Sequence, residues 1–167
     1  MSPHLTLAPL VFEPGEIADV VDLYASNPAY WQAAGEHDPE HIDAAKVEAD
    51  LRAETAVDGA EVLLGRDEEG RLVGLVCLLA RHPVDGLPWI GLLMVSGDSH
   101  RTGIGRQLVG LVEQRYRAEG RPGLRLAVLE NNPRALAFWH SLGWREIDRR
   151  TDTAHGRPCI VMHKPLA

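Results

Sequence analysis

Three apolar runs stand close together in the middle of the chain, at residues 60–66, 72–81 and 89–95. Asp67-Glu68-Glu69-Gly70 separates the first two as a hairpin turn, and Gly86-Leu87-Pro88 precedes the third. Strands with one face in water alternate apolar and polar residues. Runs that are apolar almost throughout need cover on both faces, which places them in mid-sheet with helices on either side. The longest run, 72–80, is nine residues, and a membrane-spanning helix needs about 20. The apolar runs therefore predict a layered α/β domain and no membrane span.

The flanking sequence supplies the covering elements. Residues 5–10 read as a short strand. Residues 16–26 carry Ile17, Val20, Val21 and Tyr24 on one helical face, ended by Asn27-Pro28. The stretch 27–39 reads as a loop or short helical turn. Residues 39–55 read as a polar second helix that buries Ile42, Val47 and Leu51. A helix from Gly103 to about Glu119 has Ile104, Leu108, Leu111, Val112 and Tyr116 as its stripe, and Gly120 ends it. After a strand at 124–129, Asn132 and Pro133 suit the cap and first position of another helix. That helix buries Ala135, Leu136, Phe138, Trp139 and Leu142 and stops at Gly143. Residues 144–151 and 159–164 form a final hairpin. The predicted order is strand, two helices, three strands, helix, strand, helix, two strands. There is no linker and no repeat, so residues 1–167 read as a single domain.

The net charge of −7 is unevenly spread. Residues 1–70 hold 16 acids against three bases, a net of −13, and residues 71–167 hold 14 bases against eight acids, a net of +6. That split suits a cation on one surface and an anion on another, or else solvated helix faces alone. An acidic chain disfavours nucleic acid as partner. Met1-Ser2-Pro3-His4 lacks the basic and apolar regions of a signal peptide, and Cys77 and Cys159 have no short spacing. A cytoplasmic protein with packed thiols is expected. His37 and His41 have an i, i+4 spacing, but Pro39 interrupts the helix it would need, so no metal site is expected.

The segment 93–106 carries the chemistry. An apolar strand enters a polar turn, and Gly103-x-Gly105 then opens a helix. Such a helix start presents unpaired N–H groups to an anion, glycines let phosphate oxygens approach, and Arg101 and Arg106 add charge. It is not a Walker A loop, because no Gly-Lys-Ser/Thr follows, and it lacks the third glycine of a dinucleotide fingerprint.

About 30 residues on stands Asn132-x-x-Ala135-x-x-Phe138-Trp139, followed by Gly143-Trp144. Together with Leu93-x-Val95, Gly103-x-Gly105 and the element order, this chain closely resembles the GNAT superfamily of acyl-CoA-dependent N-acyltransferases along nearly its whole length. The resemblance implies a GNAT-like mixed, mostly antiparallel twisted sheet with helices on both faces. It also implies transfer of an acetyl group from acetyl-CoA to a primary amine, by direct attack in a ternary complex. Coenzyme A would be carried as co-substrate, without a metal. Backbone groups of Met94 and Val95 would bond the pantetheine amides. The turn His100, Arg101, Thr102, Gly103, Ile104, Gly105 and Arg106 would hold the pyrophosphate. Asn132 would contact the pantetheine arm, Ala135 and Phe138 would line it, and Arg134 would reach the nucleotide phosphates. Family members are often dimers, so a homodimer is compatible with the resemblance.

The sequence departs from the family pattern in two places. His100 stands where the motif has Gln or Arg. Trp139 replaces the usual tyrosine, and an indole N–H donates a hydrogen bond but cannot transfer a proton near neutral pH. Trp139 either packs on the helix face or shapes the thioester pocket. The strand at 89–95 carries no acid or histidine, which leaves Glu130 and His82 as candidate bases. Tyr30, Trp31, Glu36 and Asp38 fall where the acceptor site is rimmed in this architecture, with 155–158 opposite. They suggest a small cationic amine. Loss of the tyrosine also leaves open a non-catalytic acyl-CoA sensor or interaction module. An unrelated phosphate-binding enzyme is a further alternative.

Overall fold

The computed structural model describes residues 4–167. Met1, Ser2 and Pro3, on which the reading of no signal peptide rests, lie outside the described residues.

One seven-stranded sheet organises the chain, in the order β1-β2-β3-β4-β5-β7-β6. The strands are β1 (Thr6–Pro9), β2 (Ala60–Arg66), β3 (Leu72–Leu79), β4 (Trp89–Val95), β5 (Gly123–Leu129), β6 (Arg145–Thr151) and β7 (Pro158–Pro165). The apolar runs take places two, three and four, as their lack of alternation requires. Asp67 shapes the β2–β3 turn by accepting the N–H groups of Glu69 and Arg71, and Gly70 supplies the positive φ of 80°. Every pairing is antiparallel except β4 with β5.

Helices α1 (Pro14–Ala25), α2 (Pro28–Ala34) and α3 (Ala44–Thr55) cover one face. Ile17, Val20, Trp31, Val47 and Leu51 pack there on Val62, Leu64, Leu75, Cys77 and Met94. Helices α4 (Ile104–Ala118) and α5 (Pro133–Ser141) cover the other. Val109, Val112, Tyr116 and Trp139 pack there on Leu63, Val76, Leu78, Ile90, Leu126 and Val128. Neighbouring residues of one strand thus enter opposite cores, the period-two geometry of a sheet covered twice.

Two expectations near the N-terminus need correction. Residues 28–34 form a full helix, which raises the helices before β2 from two to three; Pro28 sits at its first position and Gly35 ends it with φ 75°. The predicted helix at 39–55 begins only at Ala44. Residues 38 and 41 pair as an isolated bridge, and the Asp43 carboxylate accepts the Ala45 N–H as the cap. Among the described residues no helix is long and apolar enough to cross a membrane.

Candidate active site

The parallel pair β4–β5 is joined by only two rungs, Trp89↔Arg125 and Ile90↔Leu126. Gly91 is the extra residue of a bulge in the β3–β4 ladder, since Cys77 faces Leu92 while Leu78 faces Ile90. Beyond the bulge β4 parts from β5, and β5 stays bound to β7 through Leu129. The β4 edge from Gly91 to Val95 is left without a partner strand.

Which backbone groups that edge offers follows from the ladder. The Ser96 N–H donates to Val73 O at 2.8 Å. Hydrogen-bonded and non-bonded pairs alternate in an antiparallel ladder. Leu75↔Met94 is therefore a bonded pair, whereas Val76↔Leu93 and Gly74↔Val95 are not. Met94 spends its amide and carbonyl on β3, so it does not serve the gap as expected. Leu93 and Val95 face the gap instead. The Val95 carbonyl already accepts from Asn27 Nδ2 at 3.0 Å and contacts His100 Nε2 at 3.1 Å. Val95 thus contributes its N–H, and Leu93 both groups.

The turn after β4 leads to the start of α4. Gly103 caps the helix with φ 89° and has no side chain to bond the first-turn amides, leaving the N–H groups of Ile104, Gly105 and Arg106 to an outside acceptor. Arg101 also has positive φ, 65°, a conformation non-glycine residues rarely take. A Cβ on Gly105 would lie 3.2 Å from the Phe138 ring and 3.5 Å from Val95. Glycine thus lets α4, α5 and β4 converge here. Arg134 reaches His100 Nδ1 at 3.4 Å, joining α5 to the turn. His100 bridges the Val95 carbonyl and Arg134, a positioning role in place of the motif's Gln or Arg. Thr102 donates its hydroxyl to Ser99 O and tightens the turn. Asn132 accepts the Ala135 N–H at 3.2 Å, so its side chain caps α5. This face can hold a pyrophosphate by backbone amides, with Arg101, Arg106 and Arg134 exposed around it.

Trp139 is 7% exposed, in edge contact with Phe138 and Trp144 at 5.1 Å each. It belongs to the core between α5 and the sheet. Packing, one of its two sequence readings, is what the structure shows.

On the opposite face lies a cavity of about 760 Å³. Gly91 and Leu92 of β4 and Ala127 and Leu129 of β5 line it, so the parted strands form its floor. Tyr30 and Trp31 make an aromatic wall with Tyr24, and the Trp31 indole donates to Tyr24 O at 3.1 Å. Burial, aided by the charge of Glu36, pushes the Tyr30 phenol up to about 12. Glu36 lines the cavity and pairs with Arg157 at 3.0 Å. Arg157 in turn holds Asp152 and donates to Ala34 O at 2.7 Å, which docks the β6–β7 tip onto α2. Residues 155–158 do rim this site, through Arg157. Asp38 does not reach it: it is exposed, with its carboxylate turned to the Glu40 N–H.

The two candidate bases are placed differently. Glu130 is not among the cavity residues and pairs with Arg149 at 2.9 Å. His82 lines the cavity, stacked on Trp89 at 4.4 Å. Its Nδ1 accepts the Val84 N–H at 3.2 Å, so the neutral ring carries its proton on Nε2 and presents a donor. Cys77 touches the cavity, but burial, with the Glu54 charge added, pushes its thiol far up and keeps it from becoming a thiolate. The Cys159 thiol is raised too, by burial and Asp152.

Several cavity residues were missed in the sequence. His37 is buried and pairs with Asp50 at 3.1 Å; burial and then Lys46 hold its pKa below the usual histidine value, so the ring stays neutral. Glu54 also lines the cavity. Its signal was legible: it continues the Val47–Leu51 stripe at i+7, a carboxylate on a buried helical face. Among the described residues no group of three or more His, Cys, Asp or Glu could hold a metal ion.

A parted parallel strand pair, a helix start with free amides on one face and an acid-lined cavity on the other fit an acyl-transferase scaffold. The acetyltransferase (GNAT) family profile matches residues 20–144, and the chain belongs to that family. The fold is similar to an acetyltransferase from Thermus thermophilus, with 23% identity, TM-score 0.78 and 99% of each chain covered. It is also similar to the spermidine N-acetyltransferase of Vibrio cholerae in complex with CoA and spermine, with 16% identity, TM-score 0.71 and 97% and 95% covered. A third similar structure is the ribosomal-protein alanine N-acetyltransferase of Escherichia coli, with 16% identity, TM-score 0.65 and 98% and 95% covered. No curated protein sequence matches the chain.

Proposed function

We propose that this acetyltransferase moves an acetyl group from acetyl-CoA to a small, positively charged primary amine by direct attack. The observation that carries the reading is the gap between β4 and β5. Its edge offers backbone groups of Leu93 and Val95, the anion cradle of α4 lies on one face, and the cavity opens on the other. Pantetheine amides can complete the β4 edge as a strand would, while the α4 amides hold the pyrophosphate. The thioester then arrives where β4 and β5 part, at the floor of the cavity.

The acceptor class follows from charge. Glu36, Asp50, Glu54 and Asp152 outnumber Arg150 and Arg157 in the cavity lining. A carboxylate-rich, aromatic-walled cavity attracts an alkylammonium ion. The similar Vibrio cholerae enzyme is a spermidine N-acetyltransferase, in keeping with a cationic acceptor. Catalysis on this reading is mainly orientation of amine against thioester, with the elevated Cys77 and Cys159 thiols supporting direct attack over a covalent acyl-enzyme.

A matched panel of cationic and neutral amines tests the class. Cationic amines are expected to react best. Glu36→Gln should raise KM for them on the order of threefold to tenfold with little change in kcat, and added salt should shrink that difference. A panel in which only neutral or anionic amines react contradicts the reading.

A further inference from the structure

Glu54 is the cavity carboxylate that nothing holds. Glu36 and Asp152 share Arg157, and Asp50 pairs with His37 and Lys46. Among the described residues the Glu54 side chain makes no hydrogen bond or ion pair. Yet it is turned inward, one helical turn beyond buried Leu51 on the same stripe of α3. Its Oε1 lies 3.6 Å from where a Cβ on Gly91 would stand. Gly91 is the bulge residue, immediately after the last β4–β5 rung at Ile90. The unpaired carboxylate therefore sits over the point where the two strands separate, with no side chain on Gly91 in the way.

We propose that Glu54 is the general base of the transfer reaction, a role that rests on the amine-acceptor reading above. An alkylammonium ion with a pKa of about 10.4 is short of its neutral form by about 3.4 units at pH 7, or ~4.6 kcal/mol. A carboxylate poised at the reaction point removes that proton where the nitrogen is already oriented. In the balanced sequence, Glu54 takes one proton from the ammonium nitrogen. The nitrogen lone pair forms the C–N bond at the thioester carbonyl, the C–S bond breaks, and sulfur leaves with the electron pair. The second nitrogen proton goes to that thiolate, and Glu54 returns its own proton to water. The products are the N-acetyl amine, CoA thiol and one proton. The other titratable or charged groups that line the cavity are Asp50 on its own helix, Tyr24, Tyr30, Glu36 and His37 from the α1–α3 side, Cys77, His82 and Cys159 from the sheet side, and Arg150, Asp152 and Arg157 from the β6–β7 hairpin. Of these, Cys77 is held protonated by burial, and Asp50 is already paired.

The test compares the parent with E54Q and Glu54→Asp, each checked for acetyl-CoA binding by calorimetry. E54Q is expected to bind acetyl-CoA as the parent does and to lose at least ~100-fold in kcat/KM for the amine. The acidic limb of its pH–rate profile should disappear, and Glu54→Asp should recover part of the rate and the limb. E54Q within threefold of the parent, with the acidic limb intact, overturns the proposal. Thiol release in the absence of amine, with water as acceptor, separates the two claims. If the parent accepts no amine, the acceptor reading falls. Glu54 is then judged on hydrolysis, where E54Q at the parental rate overturns it and a slower E54Q supports it.

Discussion

Gly103→Val is expected to weaken acetyl-CoA binding at least tenfold, which corresponds to ~1.4 kcal/mol. Gly103 caps α4 at φ 89°, where a β-branched residue is strained by roughly 1–2 kcal/mol. A Cβ there meets no protein atom within 4 Å, and in the proposed binding mode it would crowd the approach of a phosphate to the α4 amides. The effect should therefore fall on ligand affinity more than on packing. Calorimetric titration with CoA, alongside a thermal melt to confirm folding, measures it. Unchanged CoA affinity in a folded Gly103→Val protein would show that the pyrophosphate is held elsewhere.

Trp139→Ala is expected to cost the protein about 3–5 kcal/mol of stability, the usual range for truncating a large buried aromatic. Trp139 is 7% exposed and packs edge-on against both Phe138 and Trp144. Its loss leaves a cavity beside α5, the helix that carries Asn132 and Arg134. Trp139→Phe keeps an apolar ring in place and should retain most of the activity, because an indole has no proton to give near neutral pH. Chemical denaturation reads the first effect and a pH–rate profile the second. An alkaline limb present in the parent and lost in Trp139→Phe would contradict the packing role.

What was legible in the sequence was set by local rules. The apolar runs at 60–66, 72–81 and 89–95 have a single physical solution, burial on both faces, and they became β2, β3 and β4. Gly103 and Asn132 act within one turn of their own helices, so both helix starts could be read directly. Misreadings arose where the outcome depends on distant partners. The choice between Met94 and Val95 is one of parity, and only the bond from Ser96 to Val73 sets which residues face the gap. Seven residues with two prolines nearby are too few to show a helical period, so α2 was read only as a loop or short helical turn. Glu130 follows β5 just as the gap ends, but Arg149 on β6, a contact invisible in sequence, draws its carboxylate away. Glu54 fails in the other direction: its place on the α3 stripe was visible, but its neighbour Gly91 comes from the sheet.

Direct acetyl transfer within a ternary complex is tested by initial-rate kinetics over both substrates. Thiol release and N-acetyl product are counted together while acetyl-CoA and a cationic amine are varied. Direct attack requires one thiol per acetylated amine and double-reciprocal lines that intersect, with no acetyl group left on the protein. Parallel lines with an acetylated Cys77 or Cys159 would contradict direct attack, and CoA binding without turnover of any amine would make the chain a sensor on an acetyltransferase fold.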